Sequence, residues 1–148
     1  MSSETPKAHP KALPYGSAIS LSLAKIVMEA SEQEASRHGW PMVITIVDST
    51  GHLVMLHRMD QSQYGSINVA QQKAETALNF RRPTKVFQDL LASGGVGLRV
   101  LSMGEVSAVE GGELLVVDNK IIGAIGVSGM LPNEDTLIAQ AGVAALSS

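Results

Sequence analysis

The segment 42–47 constrains the fold of this chain more than any other. It reads Met-Val-Ile-Thr-Ile-Val, a short run rich in β-branched side chains that places apolar residues on both faces of an extended backbone. Such a run predicts a β-strand. Because a strand that is apolar on both faces is covered on both, helices or a second subunit are expected to pack on each side of it.

The other segments alternate between helical and strand patterns. Helices are predicted over residues 17–38, 66–80, 84–91 and 133–145, and strands over 42–47, 53–59, 106–109, 114–117 and 121–127. Short turns such as Asp118-Asn119 join the strands at hairpin spacing. We therefore expect an α/β fold of the α+β type, with a five-stranded, mainly antiparallel sheet flanked by helices.

The length of 148 residues indicates one domain. Residues 1–16 are polar and contain three prolines, so they are expected to form a flexible arm, and residues 17–148 the single domain. Residues 121–127 are nearly as apolar as the first strand. Because one layer of short helices is not expected to cover both strands, we predict a homo-oligomer.

The composition excludes several classes of protein. The absence of cysteine excludes a disulfide framework, thiolate zinc sites, iron–sulfur ligation and a cysteine nucleophile. A net charge of −3 gives no reason to expect a nucleic-acid partner. No apolar run approaches the roughly 18 residues that span a bilayer, and residues 1–14 contain no hydrophobic signal segment. A cytoplasmic protein with no membrane partner is expected.

Lys73 is the most informative single residue. At helical spacing its side chain falls between Ala77 and Phe80, inside the apolar arc of the 66–80 helix. A buried ammonium needs a carboxylate or carbonyl partner, or it must lose its proton. Lys73 is therefore either an anion-binding or proton-transferring residue, or a structural lysine at the edge of the packed face.

Two arginines and a set of glycines are further candidates. Arg58 at a strand end could hold a carboxylate, or it could bridge to a nearby aspartate. Arg82, before a helix start, suits a carboxylate or phosphate, or is a solvated surface residue. Gly111 and Gly112 follow Glu110 where bulk is unwelcome, and glycines within the 121–127 strand often mark the close approach of a ligand or of backbone.

The histidines give a weaker signal. His52 and His57 are five residues apart on one predicted strand, so they point to opposite faces and cannot share a metal ion. Either one is a candidate axial ligand for haem, with Met55 beside His57 on the same face. The alternative is that both are surface histidines.

Taken together, several segments resemble the GlcG/HbpS-like family of haem-binding or haem-degrading proteins, which is related to the C-terminal domain of PduO-type proteins. The matching segments are Ile44–Asp48 with Gly51, Arg58-Met-Asp60, Lys73–Ala77 with Phe80, Arg82-Pro-Thr84, Glu110-Gly-Gly112, Ile121–Gly129 and Asp135. They occur in order from about residue 17 to the C-terminus.

The resemblance implies a profilin-like sandwich, a homo-oligomer and a pocket. The pocket would lie near the Lys73 helix, the Glu110-Gly111-Gly112 turn and the glycine-rich last strand that ends at Ser128. Residues implied as ligand-binding are Lys73, Arg58, Arg82, Phe80, Glu110, Gly111, Gly112 and Ser128.

Two functions fit these residues. The first is a module that binds haem, a related tetrapyrrole or another small molecule, with the arginines and Lys73 near its acidic groups. The second is a cofactor-independent catabolic enzyme, an isomerase, lyase or hydrolase acting on a small carboxylate. In that enzyme Lys73 would bind the substrate or move a proton, and the amides of Gly111 and Gly112 would stabilise an oxyanion. The residues leave open whether the protein is an enzyme, and haem is the only cofactor they suggest.

Overall fold

The computed structural model describes residues 12–147 as four α-helices, four strands and two 3₁₀ segments. Their order is α1 (Leu21–His38), β1 (Val43–Asp48), β2 (Leu53–Arg58), α2 (Ser66–Phe80), α3 (Lys85–Ala92), a first 3₁₀ segment (Gly95–Ser102), β3 (Gly112–Val117), β4 (Lys120–Ser128), α4 (Pro132–Ala144) and a second 3₁₀ segment (Ala145–Ser147). The predicted bounds of α2 are confirmed.

The strands form one antiparallel sheet in the order β2-β1-β4-β3. At its centre Ile46 lies opposite Met55 of β2 and Ile125 of β4. Asp118 and Asn119, which join β3 to β4, have φ values of 52° and 60°, as a type I′ hairpin turn requires. The predicted α/β fold with an antiparallel sheet flanked by helices is confirmed.

The prediction of a fifth strand is wrong. Residues 106–109 form no strand, and the backbone N–H of Ser107 instead donates to the side-chain oxygen of Thr76 on α2 at 2.9 Å. This segment is therefore attached to a helix. β4 already has strand partners on both sides, β1 and β3, so it offers no free edge for residues 106–109.

Helices of the same chain cover both faces of the sheet. On one face, α1 and α4 pack against Ile44, Ile46 and Ile125. On the other face, α2 packs against Val47 and Ala124. The expectation that the first strand is covered on both sides is confirmed, and the covering elements are helices.

Two helix ends show how local sequence sets the boundaries. α1 ends as predicted at Gly39, which has a φ of 73° and suits the left-handed position after a helix. The last helix was predicted to begin with Asn133 as its cap, but α4 begins at Pro132, so that prediction is wrong. Proline at the first helical position loses no hydrogen bond, and the carboxylate of Glu134 accepts from the backbone N–H of Leu131 at 3.2 Å.

The end of the predicted arm is attached to the sheet. Residues 1–11 lie outside the described part of the chain. Tyr15 forms a β-bridge with Ile121, and its hydroxyl donates to the carbonyl of Leu78 at 2.7 Å. The N–H of Gly16 donates to the carbonyl of Ile121 at 2.8 Å. The division into an arm (1–16) and one domain (17–148) stays a prediction.

Candidate functional site

Lys73 lies on the packed face of α2, and only 1% of its surface is exposed. Its Nζ donates to the carbonyl oxygen of Val127 and to Oδ2 of Asp135, both at 2.9 Å. The carboxylate and carbonyl partners expected from the sequence are therefore both present. The first turn of α4 supplies Asp135, whose Oδ1 accepts from the N–H of Met130 at 2.9 Å.

Burial acts on both members of this ion pair. Burial lowers the pKa of Lys73, and the negative charge of Asp135 partly opposes that shift. Burial raises the pKa of Asp135, and the ammonium of Lys73 partly opposes it. Because the two groups satisfy each other in the interior, the pair ties α2 to α4.

The Glu110-Gly111-Gly112 turn packs directly on this pair. Gly111 has a φ of 125°, and a Cβ placed on it would lie 2.8 Å from Nζ of Lys73. The N–H of Gly112 donates to Oγ1 of Thr84 at 2.9 Å and is buried. The close approach that these glycines permit is to protein atoms, and the Gly112 amide is already bonded, so it is not free to stabilise an oxyanion.

Glu110 is also committed to protein partners. Its carboxylate accepts from Nε2 of Gln88 at 3.0 Å and from Oγ1 of Thr136 at 2.7 Å. Nearby on β3, burial and the charge of Glu110 raise the pKa of Glu113 to about 7. Three carboxyl groups, those of Glu110, Glu113 and Asp135, thus lie near the turn. Lys73 is the cation that is bonded to one of them, Asp135.

Arg58 lies away from the turn, whereas Ser128 directly follows Val127, whose N–H donates to the carbonyl of Gly111 at 2.9 Å. The hydroxyl of Ser128 donates to that of Ser66 at 3.0 Å, in a buried contact between β4 and α2. Arg58 is exposed at the end of β2, which is the edge strand farthest from β3. The structure therefore brings Lys73, Glu110, Gly111 and Gly112 together, and it separates Arg58 from them.

Phe80 and Arg82 come together in a different place, a cavity of about 320 Å³ between the end of α2, α3 and the first 3₁₀ segment. We call it the arginine cavity; its lining residues are Phe80, Arg82, Phe87, Leu90, Val96, Gly97, Arg99, Val100 and Met103. Phe80 and Phe87 meet edge to face with ring centroids 5.2 Å apart. Sequence reasoning missed Arg99, although an arginine within the otherwise apolar run 96–101 was a usable signal.

A second cavity of about 260 Å³ adjoins the arginine cavity and shares Phe80 and Met103 with it. This carboxylate cavity is lined by Gln72, Glu75, Thr76, Asn79, Phe80, Met103, Glu105 and Val106. The two neighbouring cavities differ in charge, because one carries two guanidinium groups and the other two carboxylates.

The predicted histidines are separated. His57 lines a groove of about 290 Å³ between α1 and β2, the histidine groove, with Lys25, Met28, Glu29, Glu32 and Met55. Its Nδ1 is hydrogen-bonded to the carboxylate of Glu32. His52 lies in the β1–β2 turn, where its Nδ1 is 2.7 Å from Oγ1 of Thr50. Within residues 12–147, no cluster of three or more histidine, aspartate or glutamate side chains is arranged to hold a metal ion.

None of the three cavities is lined by Lys73. Its predicted role in ligand binding stays a prediction, as do those of the residues around it. None of the helices in the described part of the chain is both long and apolar enough to cross a membrane.

Residues 19–144 match the model of a family described as haem degrading protein, HbpS-like. Protein GlcG of Escherichia coli is 34% identical over 110 residues, which cover 74% of this chain and 81% of GlcG. The fold also matches solved structures. A haem complex of PduOC is 30% identical with a TM-score of 0.78, over 86% of this chain and 94% of that one. A double mutant of Streptomyces reticuli HbpS is 25% identical with a TM-score of 0.80, over 95% and 99%.

Proposed function

The chain belongs to the HbpS-like family, and on that premise we propose that it binds haem or a related tetrapyrrole in the arginine cavity. The composition of that cavity carries the proposal. Apolar and aromatic side chains form its walls, and Arg82 and Arg99 bring two positive charges to it. A flat apolar ligand with acidic substituents matches this combination. The solved haem complex of PduOC supports the same ligand class.

The residues present fit haem in three respects. Phe80, packed edge to face on the buried Phe87, offers ring surface to a porphyrin, and the guanidinium groups of Arg82 and Arg99 can hold the propionates. Met103 is the only lining residue with a thioether, which serves as an axial iron ligand in some haem proteins. When bound, haem supplies redox and oxygen chemistry that the side chains lack.

The histidine groove fits haem less well. The bond between His57 Nδ1 and Glu32 leaves Nε2 for a metal, which is how ligating histidines are often held. However, Glu29 and Glu32 also line the groove, and their carboxylates would repel haem propionates. We therefore propose the arginine cavity as the location, and the titration below tests it against the prediction that His57 or His52 is the axial ligand.

The catabolic-enzyme alternative is not favoured. Its proposed base, Lys73, is buried in an ion pair with Asp135 and lines none of the three cavities. Of its two proposed oxyanion donors, the amides of Gly111 and Gly112, the amide of Gly112 is bonded to Thr84. A binding function agrees better with the structure than this enzyme does, because the three cavities lie away from the residues that would catalyse the reaction.

A hemin titration followed at the Soret band tests the proposal. Arg82→Ala and Arg99→Ala are each expected to weaken hemin binding about tenfold, the effect of losing one charge-assisted hydrogen bond. Arg37→Ala is the matched control, because Arg37 is an exposed arginine on α1 and lies outside the three cavities. It is expected to leave the affinity unchanged.

The same titration locates the ligand. His57→Ala is expected to leave the Soret band unchanged, whereas Met103→Leu is expected to shift it. Loss of the band in His57→Ala would move the ligand to the histidine groove and contradict the proposed location. Absence of any hemin-dependent band in the unmodified protein would contradict the proposed function itself.

We also propose that the protein is a homo-oligomer and that it works in the cytoplasm. The sequence-based reason for an oligomer no longer applies, because helices of the same chain cover both faces of β1. The structure supplies a different reason, a surface of exposed aliphatic side chains around the first 3₁₀ segment.

A further inference from the structure

The first 3₁₀ segment and its neighbours expose an unusual amount of apolar surface. The exposed side chains there are Leu90, Val96, Leu98, Leu101 and Met103. Val96 is 79% exposed and Leu101 is 72% exposed. Contiguous apolar patches on a protein surface often mark an interaction site. We call this set the aliphatic patch. It adjoins the arginine cavity, because Leu90, Val96 and Met103 also line that cavity.

Charges of opposite sign flank the patch. Phe80 and Met103 form the wall that the arginine cavity shares with the carboxylate cavity. Arg82 and Arg99 therefore lie on one side of this wall, and Glu75 and Glu105 lie on the other. No ion pair within residues 12–147 involves any of these four charged groups, so all four are available to an external partner.

This arrangement is self-complementary. In a symmetric dimer the same patch of each subunit forms the interface. A two-fold axis near Phe80 and Met103 would place the arginines of one copy against the carboxylates of the other, and the aliphatic side chains would meet between them. We propose that a second copy of this chain docks on the aliphatic patch in this two-fold arrangement. The proposal rests on the proposed homo-oligomer and names its surface.

The pairing has a consequence for the binding site. Because the aliphatic patch borders both cavities, a second copy docked on it would cover their openings. The same two guanidinium groups are proposed to hold haem propionates, so a haem in the arginine cavity and the carboxylates of a docked copy would compete for Arg82 and Arg99.

Sedimentation equilibrium on the protein without added hemin tests the surface. Leu98→Lys is expected to raise the dimer dissociation constant at least tenfold, because it places an unpaired charge in the apolar centre. Leu53→Lys on β2 is the matched control, since Leu53 and Leu98 are both 51% exposed. The control is expected to dimerise like the unmodified protein, and circular dichroism checks that both variants are folded.

Charge reversal tests the two-fold arrangement. Arg99→Glu and Glu105→Arg are each expected to weaken the dimer about tenfold by placing like charges together. The double variant is expected to recover to within about threefold of the unmodified protein, because the opposite charges again face each other.

The possible outcomes of these experiments contradict different parts of the proposal. A monomeric unmodified protein would contradict both the homo-oligomer and the surface. An oligomer that is insensitive to Leu98→Lys would contradict only the surface, and a double variant as weak as the single reversals would contradict the two-fold pairing. Hemin affinity is measured separately, so the haem proposal can fail or stand independently of these results.

Discussion

The side-chain carboxyl group of Glu113 is partly buried, and burial disfavours its charged form. Glu113 lies on the edge strand β3, opposite Ile125, and its side chain forms no hydrogen bond or ion pair within residues 12–147. Burial raises its pKa to about 7, and the nearby charge of Glu110 adds to the shift. A carboxyl that titrates near neutral pH makes the stability of the fold depend on pH in that range.

The sign of this dependence follows from the shift. The pKa of Glu113 is raised in the fold from an ordinary value of 4.5, so its contribution is favourable below about pH 4.5 and is lost as the pH rises through 7. Glu113→Gln should therefore raise the free energy of unfolding at pH 8 by about 1–2 kcal/mol, a value reduced from the full shift because the group is partly solvated. The gain should disappear near pH 4.5.

Urea unfolding at pH 5, 6.5 and 8 measures this effect. Glu29→Gln is the control for the loss of a carboxylate, because Glu29 is an exposed glutamate on α1. A stability difference for Glu113→Gln that is the same at all three pH values would contradict the assigned titration.

The burial of a single residue could be predicted from the sequence where it depends only on that residue's position in one helix. The helical phase of α2 correctly placed Lys73 among buried residues, because the phase depends only on neighbours along the chain. Its partner Asp135 is 62 positions away, and only the packed structure brings the two together. Ile26 shows the opposite case. Helical spacing aligns Ile26 with Leu23 and Val27 in an apolar stripe, yet Ile26 is exposed, and Met28 is buried instead.

At the scale of elements, the Lys73–Asp135 pair joins the two helical layers of the molecule. α2 packs on one face of the sheet and α4 on the other. The pair connects them past the end of β4, where Lys73 also donates to the carbonyl of Val127. Removing one member would leave a buried charge without its partner, which is among the costliest changes in a protein interior.

Lys73→Met should lower the free energy of unfolding by about 3–5 kcal/mol, the usual cost of breaking a buried ion pair from one side. Combining it with Asp135→Asn should restore most of that loss, because no charge is then left buried and the amide oxygen can still accept from Met130. Chemical denaturation of both variants measures the difference. A neutral or stabilising effect of Lys73→Met alone would show that the pair is not a tie between the layers.

The strands were predictable to different degrees. β1, β2 and β4 carry long apolar patterns, and turns with suitable residues join their hairpins. Residues 106–109 carry a β-branched pattern as well, but only four residues long, and their backbone bonds to α2. The glycines of β4 predicted a close approach to the strand, but the sequence could not tell whether a ligand or backbone makes that approach. A Cβ on Gly126 would lie 2.0 Å from the carbonyl oxygen of Ala70, so the close approach there is by helix α2.

For the molecule as a whole, the covering of both sheet faces within one chain predicts that folding does not require a partner. The aliphatic clusters on the two faces are built from residues of α1, α4 and α2 together with the sheet. The aliphatic patch lies outside both clusters, apart from the sheet core. Assembly through this patch should therefore add to the stability of a protomer that is already folded.

This separation predicts how the melting temperature depends on protein concentration. If the protein dimerises as proposed, the unmodified chain should melt at a temperature that rises with concentration, since association stabilises the folded state by mass action. Leu98→Lys, as a monomer, should show native circular dichroism and a melting temperature independent of concentration. Thermal melts of both proteins from 2 to 200 µM, roughly a hundredfold range worth about 2.7 kcal/mol of linkage, measure this. A Leu98→Lys monomer that is unfolded at 25 °C, while Leu53→Lys remains native, would mean that the patch belongs to the folding core and that the chain folds only as it assembles.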